Sequence, residues 1–269
     1  MAVKNLTAAL RVGNRVKLAA IDPGDTRGWD KVGAQAATNE LLPELAELQE
    51  RLWAEGTRAV LVVLQGIDAA GKDGAIRKVM TAFNPQGCPV TSFKAPSAEE
   101  LDHDFLWRIH RRVPGKGEVG VFNRSHYEDV LVVRVHDLVP ETVWRARYDQ
   151  IVAFEDHLAA TGTSVVKFFL YIDRDEQRER FQARYDDPTK RWKFAMGDLE
   201  ERKHWDDYIA AYEDALSKTS TDRAPWYVVP ANKKWFRDLA IATILAETLR
   251  GLDAVFPAAA ELPPDLIIT

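Results

Sequence analysis

Short unbroken apolar runs alternate along this chain with longer stretches in which apolar residues recur every three or four positions. Ala59-Val60-Leu61-Val62-Val63-Leu64 contains no polar residue, and Ser164 to Ile172 is rich in Val and Phe. Such runs describe strands buried on both faces. Val90-Thr91-Ser92-Phe93, Val119-Gly120-Val121-Phe122 and Pro225 to Val229 are shorter candidates. Between them the helical period takes over. Leu41, Leu45, Leu48 and Leu52 share one face of a helix that Thr38-Asn39 would cap and Gly56 would close. Ala75, Ile76, Val79, Met80 and Phe83 continue the pattern after the first strand. Further helices are predicted over Ala98 to Arg112, Glu141 to Ala160, about 174–186 and about 198–217. A last one, Lys233 to Arg250, would be closed by Gly251. Strands alternating with helices predict an α/β fold, a parallel sheet with helices on both faces. Residues 1–37 carry turn formers and weak periodicity, and read as an irregular arm on the body. Pro257 to Pro264 reads as an extended tail that can pack on a neighbour.

Composition narrows the setting. With 269 residues, 46% hydrophobic and 29% charged, the chain has ample material for a buried core. Lys+Arg 36 against Asp+Glu 41 leaves a net charge of −5, so no global charge points to nucleic acid or a membrane surface. Any polyanion site has to be a local basic patch. The single Cys88 excludes an intrachain disulfide and a cysteine-cluster metal site, and a buried thiol is expected. No segment approaches the roughly twenty apolar residues that span a bilayer, and the first twenty carry scattered cations with no apolar h-region. A cytoplasmic protein is expected.

One residue beyond the first strand comes Gly66-Ile67-Asp68-Ala69-Ala70-Gly71-Lys72-Asp73-Gly74. A buried strand followed by a glycine-rich turn ending in lysine is how a P-loop begins. Small residues let successive N–H groups converge on a phosphate, and the lysine adds a point charge. A helix starting near Gly71 would aim its positive end at the same anion. Position 73, where a nucleotide P-loop usually has Ser or Thr, is Asp. Asp68 inside the loop would repel phosphates unless a cation intervened, so it reads as a magnesium ligand, direct or through water.

The third strand ends in Phe122-Asn123-Arg124-Ser125-His126-Tyr127-Glu128-Asp129, and strand ends of such sheets face the ligand. Asn123 can orient a water or a phosphate. Arg124 has the fork that matches phosphate oxygens, or it pairs with Glu128 or Asp129 on the surface. His126 lacks a ligand-spaced partner and reads as structural. The run Arg108 to Lys116 has four permanent positive charges and no acid; a solvated helix end and a polyanion contact explain it equally well. Arg180 and Arg184 share a helix face and precede Lys190-Arg191-Trp192-Lys193, the layout of a lid closing over phosphates.

Taken together, the P-loop segment, Phe122 to Glu128, Asp187-Pro188-Thr189-Lys190-Arg191-Trp192-Lys193-Phe194, Phe83-Asn84-Pro85-Gln86-Gly87 and Ala224 to Pro230 resemble the polyphosphate kinase 2 family, in order, over roughly residues 20–250. The resemblance implies a thymidylate-kinase-like P-loop core with a helical lid, one domain in all: arm and helix 1–57, core 58–252 with the lid at about 174–197, tail 253–269. It implies magnesium-dependent, reversible transfer of the terminal phosphoryl group of inorganic polyphosphate to ADP or AMP, giving ATP or ADP. Manganese is a substitute metal and guanine nucleotides are further acceptors. Carried over by position, Asp68, Lys72 and Arg124 are catalytic. The loop residues Gly66, Ala69, Ala70, Gly71, Asp73 and Gly74 bind phosphate with them. Arg180, Arg184, Lys190, Arg191 and Lys193 are polyphosphate contacts. Phe83, Asn84, Asn123 and Glu128 are placed at the nucleotide, Phe83 either stacking on the base or filling the core. Many relatives have aspartate where this chain has Asn123, so Glu128 joins Asp68 as a metal candidate. A homo-oligomer, dimer or tetramer, is expected, with no nucleic-acid or membrane partner. An ATP-dependent nucleoside or nucleotide kinase of the same fold is the alternative, and a non-catalytic nucleotide-binding adaptor the third.

Overall fold

The computed structural model describes residues 5–258, so of the tail expected over 253–269 only residues 253–258 fall inside them. Five strands, β1 (Ala59–Gln65), β2 (Val90–Ser92), β3 (Val119–Asn123), β4 (Thr163–Tyr171) and β5 (Trp226–Pro230), form one sheet. Its order is β2-β3-β1-β4-β5 with every pairing parallel. All seven residues of the central β1 are buried, which is why no polar position interrupts it. Its side chains alternate between two cores. Val60, Val62 and Leu64 face the helices Lys31–Glu55 and Lys234–Leu252, while Leu61 and Val63 face Glu141–Ala160 and Trp205–Thr219. In register, Leu64 lies opposite Asn123 on β3 and Phe168 on β4, so the carboxyl ends of these strands emerge together. From β1 the chain crosses to β2 at one edge, and from β3 it crosses to β4 on the other side. The crevice between β1 and β3 is therefore the topological switch point, where such sheets bind ligands.

Four sequence expectations need correction. The long helix starts at Lys31, not Thr38: Asp30 caps it by accepting from Gly33 N–H at 2.8 Å, and Thr38 sits inside, its hydroxyl donating to Ala34 O. Of the first two turns only Ala34 is buried, with Ala37 partly buried against the same core, so no wide apolar stripe marks them. The arm is not wholly irregular. Leu6–Leu10 is a helix with Leu6 and Leu10 buried, and Val12 N–H donates to Trp226 O at 2.9 Å, laying the chain along β5. Ala98 to Arg112 is not one helix but two single turns, Ala98–Leu101 and Trp107–His110. The first ends at Asp102, and Asp104 holds the turn between them by accepting from Leu106 N–H at 3.0 Å. The last helix runs through Gly251 to Leu252, and Asp253 at φ 51° takes the left-handed position. Gly56 does close its helix, at φ 63°.

Candidate active site

The P-loop turns out of β1 through backbone that only small residues fit. A Cβ on Gly66 would lie 2.8 Å from Leu170 O, and one on Gly71, at φ 107°, would lie 2.2 Å from Arg237 Nη1. The helix Lys72–Val79 then starts from Gly71. Four consecutive carbonyls of the loop are held by side chains from elsewhere. Gln177 donates to Asp68 O at 2.9 Å, and Arg180 Nη1 to Ala69 O at 2.9 Å and Ala70 O at 2.8 Å. Arg237 Nη1 donates to Gly71 O at 3.1 Å. A peptide N–H points opposite the carbonyl it shares a plane with, so these bonds set the loop's N–H groups toward the other side. Those of Ala69, Gly71 and Lys72 have no acceptor among the described residues, which leaves three backbone donors on one side of the loop.

Arg180 is therefore corrected. It lines the same cleft, but its remaining donors go to Ala231 O, Asn232 O and Glu176 Oε1, so the buried guanidinium is saturated by the protein and holds the loop. Gln177 and Arg237 were missed. No local pattern marks them, since their partners are carbonyls more than a hundred residues away.

Lys72 is buried and donates to Gly66 O at 2.5 Å. Burial, and next the Arg124 guanidinium, lower its pKa to about 8 against the pull of Asp68, Glu128 and Asp73. Arg124 sits at φ 62° on the turn after β3 and donates Nη2–H to Asp68 Oδ1 at 2.5 Å. Its partner is thus the P-loop carboxylate. Asp129 belongs instead to Arg147, at 3.2 Å, and burial pushes its carboxyl up to about 6. Burial works against the charge on Arg124, but Glu128 and Asp68 outweigh it and raise its pKa. Asn123 Nδ2 donates to Asp73 Oδ1 at 2.8 Å, tying the end of β3 to the P-loop helix. The Glu128 carboxylate, on the turn His126–Val130, has no hydrogen-bond partner among the described residues.

Asp68, Lys72, Asp73, Asn123 and Arg124 line a cleft of about 1190 Å³ whose other wall is the helix Arg174–Asp186 and the region after it; Glu128 lies outside that lining. Arg184, Lys190 and Lys193 reach it, and Lys193 Nζ lies 3.7 Å from Asp73 Oδ2, bridging that wall to the P-loop helix. Arg191 does not line the cleft: Nε donates to Tyr185 O at 2.8 Å and the guanidinium sits over the Tyr185 ring. Phe83 is in the core, 4% exposed, and Asn84 is bound to Gln49 and to Gln86 N–H. Neither lines the cleft, so their placement at the nucleotide is corrected. Phe93 and Lys94, after β2, line it instead. Arg108 fixes them by donating to Lys94 O at 2.8 Å and lying over the Phe93 ring, which makes the start of the Arg108–Lys116 run structural. His126 is structural too, fully buried against Glu155 at 3.1 Å.

The donor set suits a hard divalent cation. Asp68 and Asp73 line the cleft with carboxylate oxygens, and Glu128 acts on the same Lys72 and Arg124. Among the described residues no group of three carboxylates, histidines or cysteines is close enough to hold an ion alone. Substrate phosphates and water would complete the shell, as is usual for magnesium.

Fold and cleft together define a P-loop phosphotransferase. The family model for Polyphosphate kinase 2 (PPK2) matches residues 28–255, and the chain belongs to that family. It is 55% identical over 246 residues to the AMP/ADP-polyphosphate phosphotransferase of Meiothermus ruber, covering 90% of this chain and 92% of that one. It is 52% identical over 225 residues to the ADP-polyphosphate phosphotransferase of Rhodopseudomonas palustris, covering 79% and 78%. The crystal structure of Polyphosphate Kinase 2 from Arthrobacter aurescens TC1 superposes with a TM-score of 0.93 at 46% identity, covering 99% of this chain and 96% of that one. No helix among the described residues is long and apolar enough to cross a membrane.

Proposed function

We propose that this chain transfers the terminal phosphoryl group of inorganic polyphosphate to AMP and ADP, reversibly and with magnesium. A terminal phosphate oxygen of the nucleotide attacks the last phosphorus of the chain. The bond to the bridging oxygen breaks, and polyphosphate leaves shorter by one unit. Catalysis of such a step is positioning plus charge stabilisation. The observation that carries the reading is the pairing of Lys72 and Arg124 across Asp68 at the β1–β3 crevice, in a cleft whose far wall adds Arg184, Lys190 and Lys193. That is more positive charge than one nucleotide needs.

In this arrangement the N–H groups of Ala69, Gly71 and Lys72 hold the end of the donor chain. Lys72 meets the charge that builds on the transferring group, and Arg124 swings from Asp68 to phosphate oxygens. Magnesium at Asp68, with Glu128 as second candidate, would screen the phosphates from the carboxylates. Lys94 and Phe93 face the acceptor side. Acceptance of both AMP and ADP is supported by the name of the Meiothermus ruber relative.

The test is product analysis with polyphosphate plus AMP alone and polyphosphate plus ADP alone, against ATP plus a nucleoside. ADP and ATP formed from the first two carry the proposal. Turnover only with ATP as donor would replace it with the nucleotide-kinase alternative.

A further inference from the structure

A second groove, of about 840 Å³, opens where three elements meet: the start of the helix Lys31–Glu55, the P-loop helix, and the turn from β5 into the helix Lys234–Leu252. Gly74, Arg77 and Lys234 line both this groove and the active cleft, so the two cavities join at those residues. Its walls carry six cations, Lys31, Arg77, Lys78, Lys233, Lys234 and Arg237, against one carboxylate, Asp238. Arg237 already takes that carboxylate at 2.6 Å. Among the described residues no acid lies within ion-pair distance of Lys31, Arg77, Lys233 or Lys234. Burial lowers the Lys234 ammonium, and the charges of Arg180 and Arg237 lower it further. On a chain of net charge −5, unpaired cations brought this close repel one another unless an anion lies among them.

We propose that this groove is a binding subsite for the distal phosphates of a long polyphosphate chain whose reacting end lies at Lys72. The inference rests on the donor being polyphosphate. A chain with its last unit in the P-loop passes Gly74 and then Arg77 and Lys234, and its regular negative charges meet Lys233, Lys31 and Lys78 in turn. A short donor stays in the cleft and never reaches those three.

The test compares the wild-type chain with a Lys31→Gln/Lys78→Gln/Lys233→Gln variant, using tripolyphosphate and a chain of about a hundred phosphates as donors at several salt concentrations. All three lysines are exposed, and a thermal melt checks that the fold is kept. The expected result is a KM for the long donor raised by roughly tenfold or more, with a shallower salt dependence, by analogy with counterion release. The KM for tripolyphosphate, its kcat and the nucleotide KM should stay as in the wild type. Equal effects on both donors, or none on either, would overturn the subsite. A rise confined to the nucleotide KM would do the same and make the groove a nucleobase site beside Trp235. If the wild-type chain itself ignored polyphosphate of every length, the donor assignment would fall. An active wild type with an unchanged long-to-short ratio in the variant would remove the groove alone.

Discussion

At Lys72 the protein places an ammonium where burial works against its charge and a polyphosphate would work for it. With its pKa lowered to about 8, the free enzyme loses that charge as pH rises through 8, while a bound polyanion should hold the proton on. The expected outcome is a kcat/KM that falls above about pH 8 and a kcat that holds to higher pH, read from the two pH profiles. Lys72→Ala should cost about 10²–10³ in kcat, the scale of losing one preorganised charge donor, with the thermal midpoint little changed. Retained turnover would break the loop assignment. Phe83 gives the opposite expectation. Buried in the core beside the P-loop helix, Phe83→Ala should lower stability by about 3–5 kcal/mol in denaturant unfolding and leave both substrate KM values as they were. A selective rise in the nucleotide KM would return it to the base.

Whole elements were legible in the sequence where burial wrote them into it. β1 shows as an unbroken apolar run because helices cover both its faces, and the P-loop shows because close backbone approach excludes larger side chains. What stayed hidden depends on partners distant in the chain. Arg180 has the spacing of a lid cation, and only the fold shows its guanidinium filled by Ala69, Ala70, Ala231 and Asn232 carbonyls. The same limit hid Arg237, and it made Arg191 and Lys193 look equivalent when only Lys193 reaches the cleft. These placements separate two predictions. Arg180→Lys keeps the charge but not the fork, so it should lower kcat through a misplaced loop, with no loss of the salt dependence of polyphosphate KM. Lys193→Ala should raise polyphosphate KM and flatten its salt dependence, while Arg191→Ala should do neither. Equal effects from the Lys193 and Arg191 variants would mean that the wall rearranges on binding and that both cations reach the donor.

On the scale of the molecule, the turn after β3 is anchored to β4 by a buried cluster whose members do not line the cleft. Lys167 of β4, fully buried, donates to Glu155 of the helix Glu141–Ala160, to Tyr127 Oη at 2.9 Å and to Thr219 O at 2.8 Å. Tyr127 follows Arg124 by three residues and also reaches Glu155, as does His126. The turn that carries Arg124 in a left-handed conformation is thereby tied to β4 and to the helix Trp205–Thr219. Breaking one member leaves the other charge buried without its counter-ion, whereas removing both leaves no buried charge, with the bonds of His126 and Tyr127 to Glu155 lost. Lys167→Met alone should therefore cost about 3–5 kcal/mol of stability, and adding Glu155→Leu should restore much of it, measured as a double-mutant cycle in urea. Activity decides whether the cluster does more than hold the fold. If it also positions Arg124, the double variant should regain stability and still show a lowered kcat. A double variant with both stability and kcat restored would make the cluster a fold element only, with the turn held by β3 and by the bond of Arg124 N–H to Leu64 O.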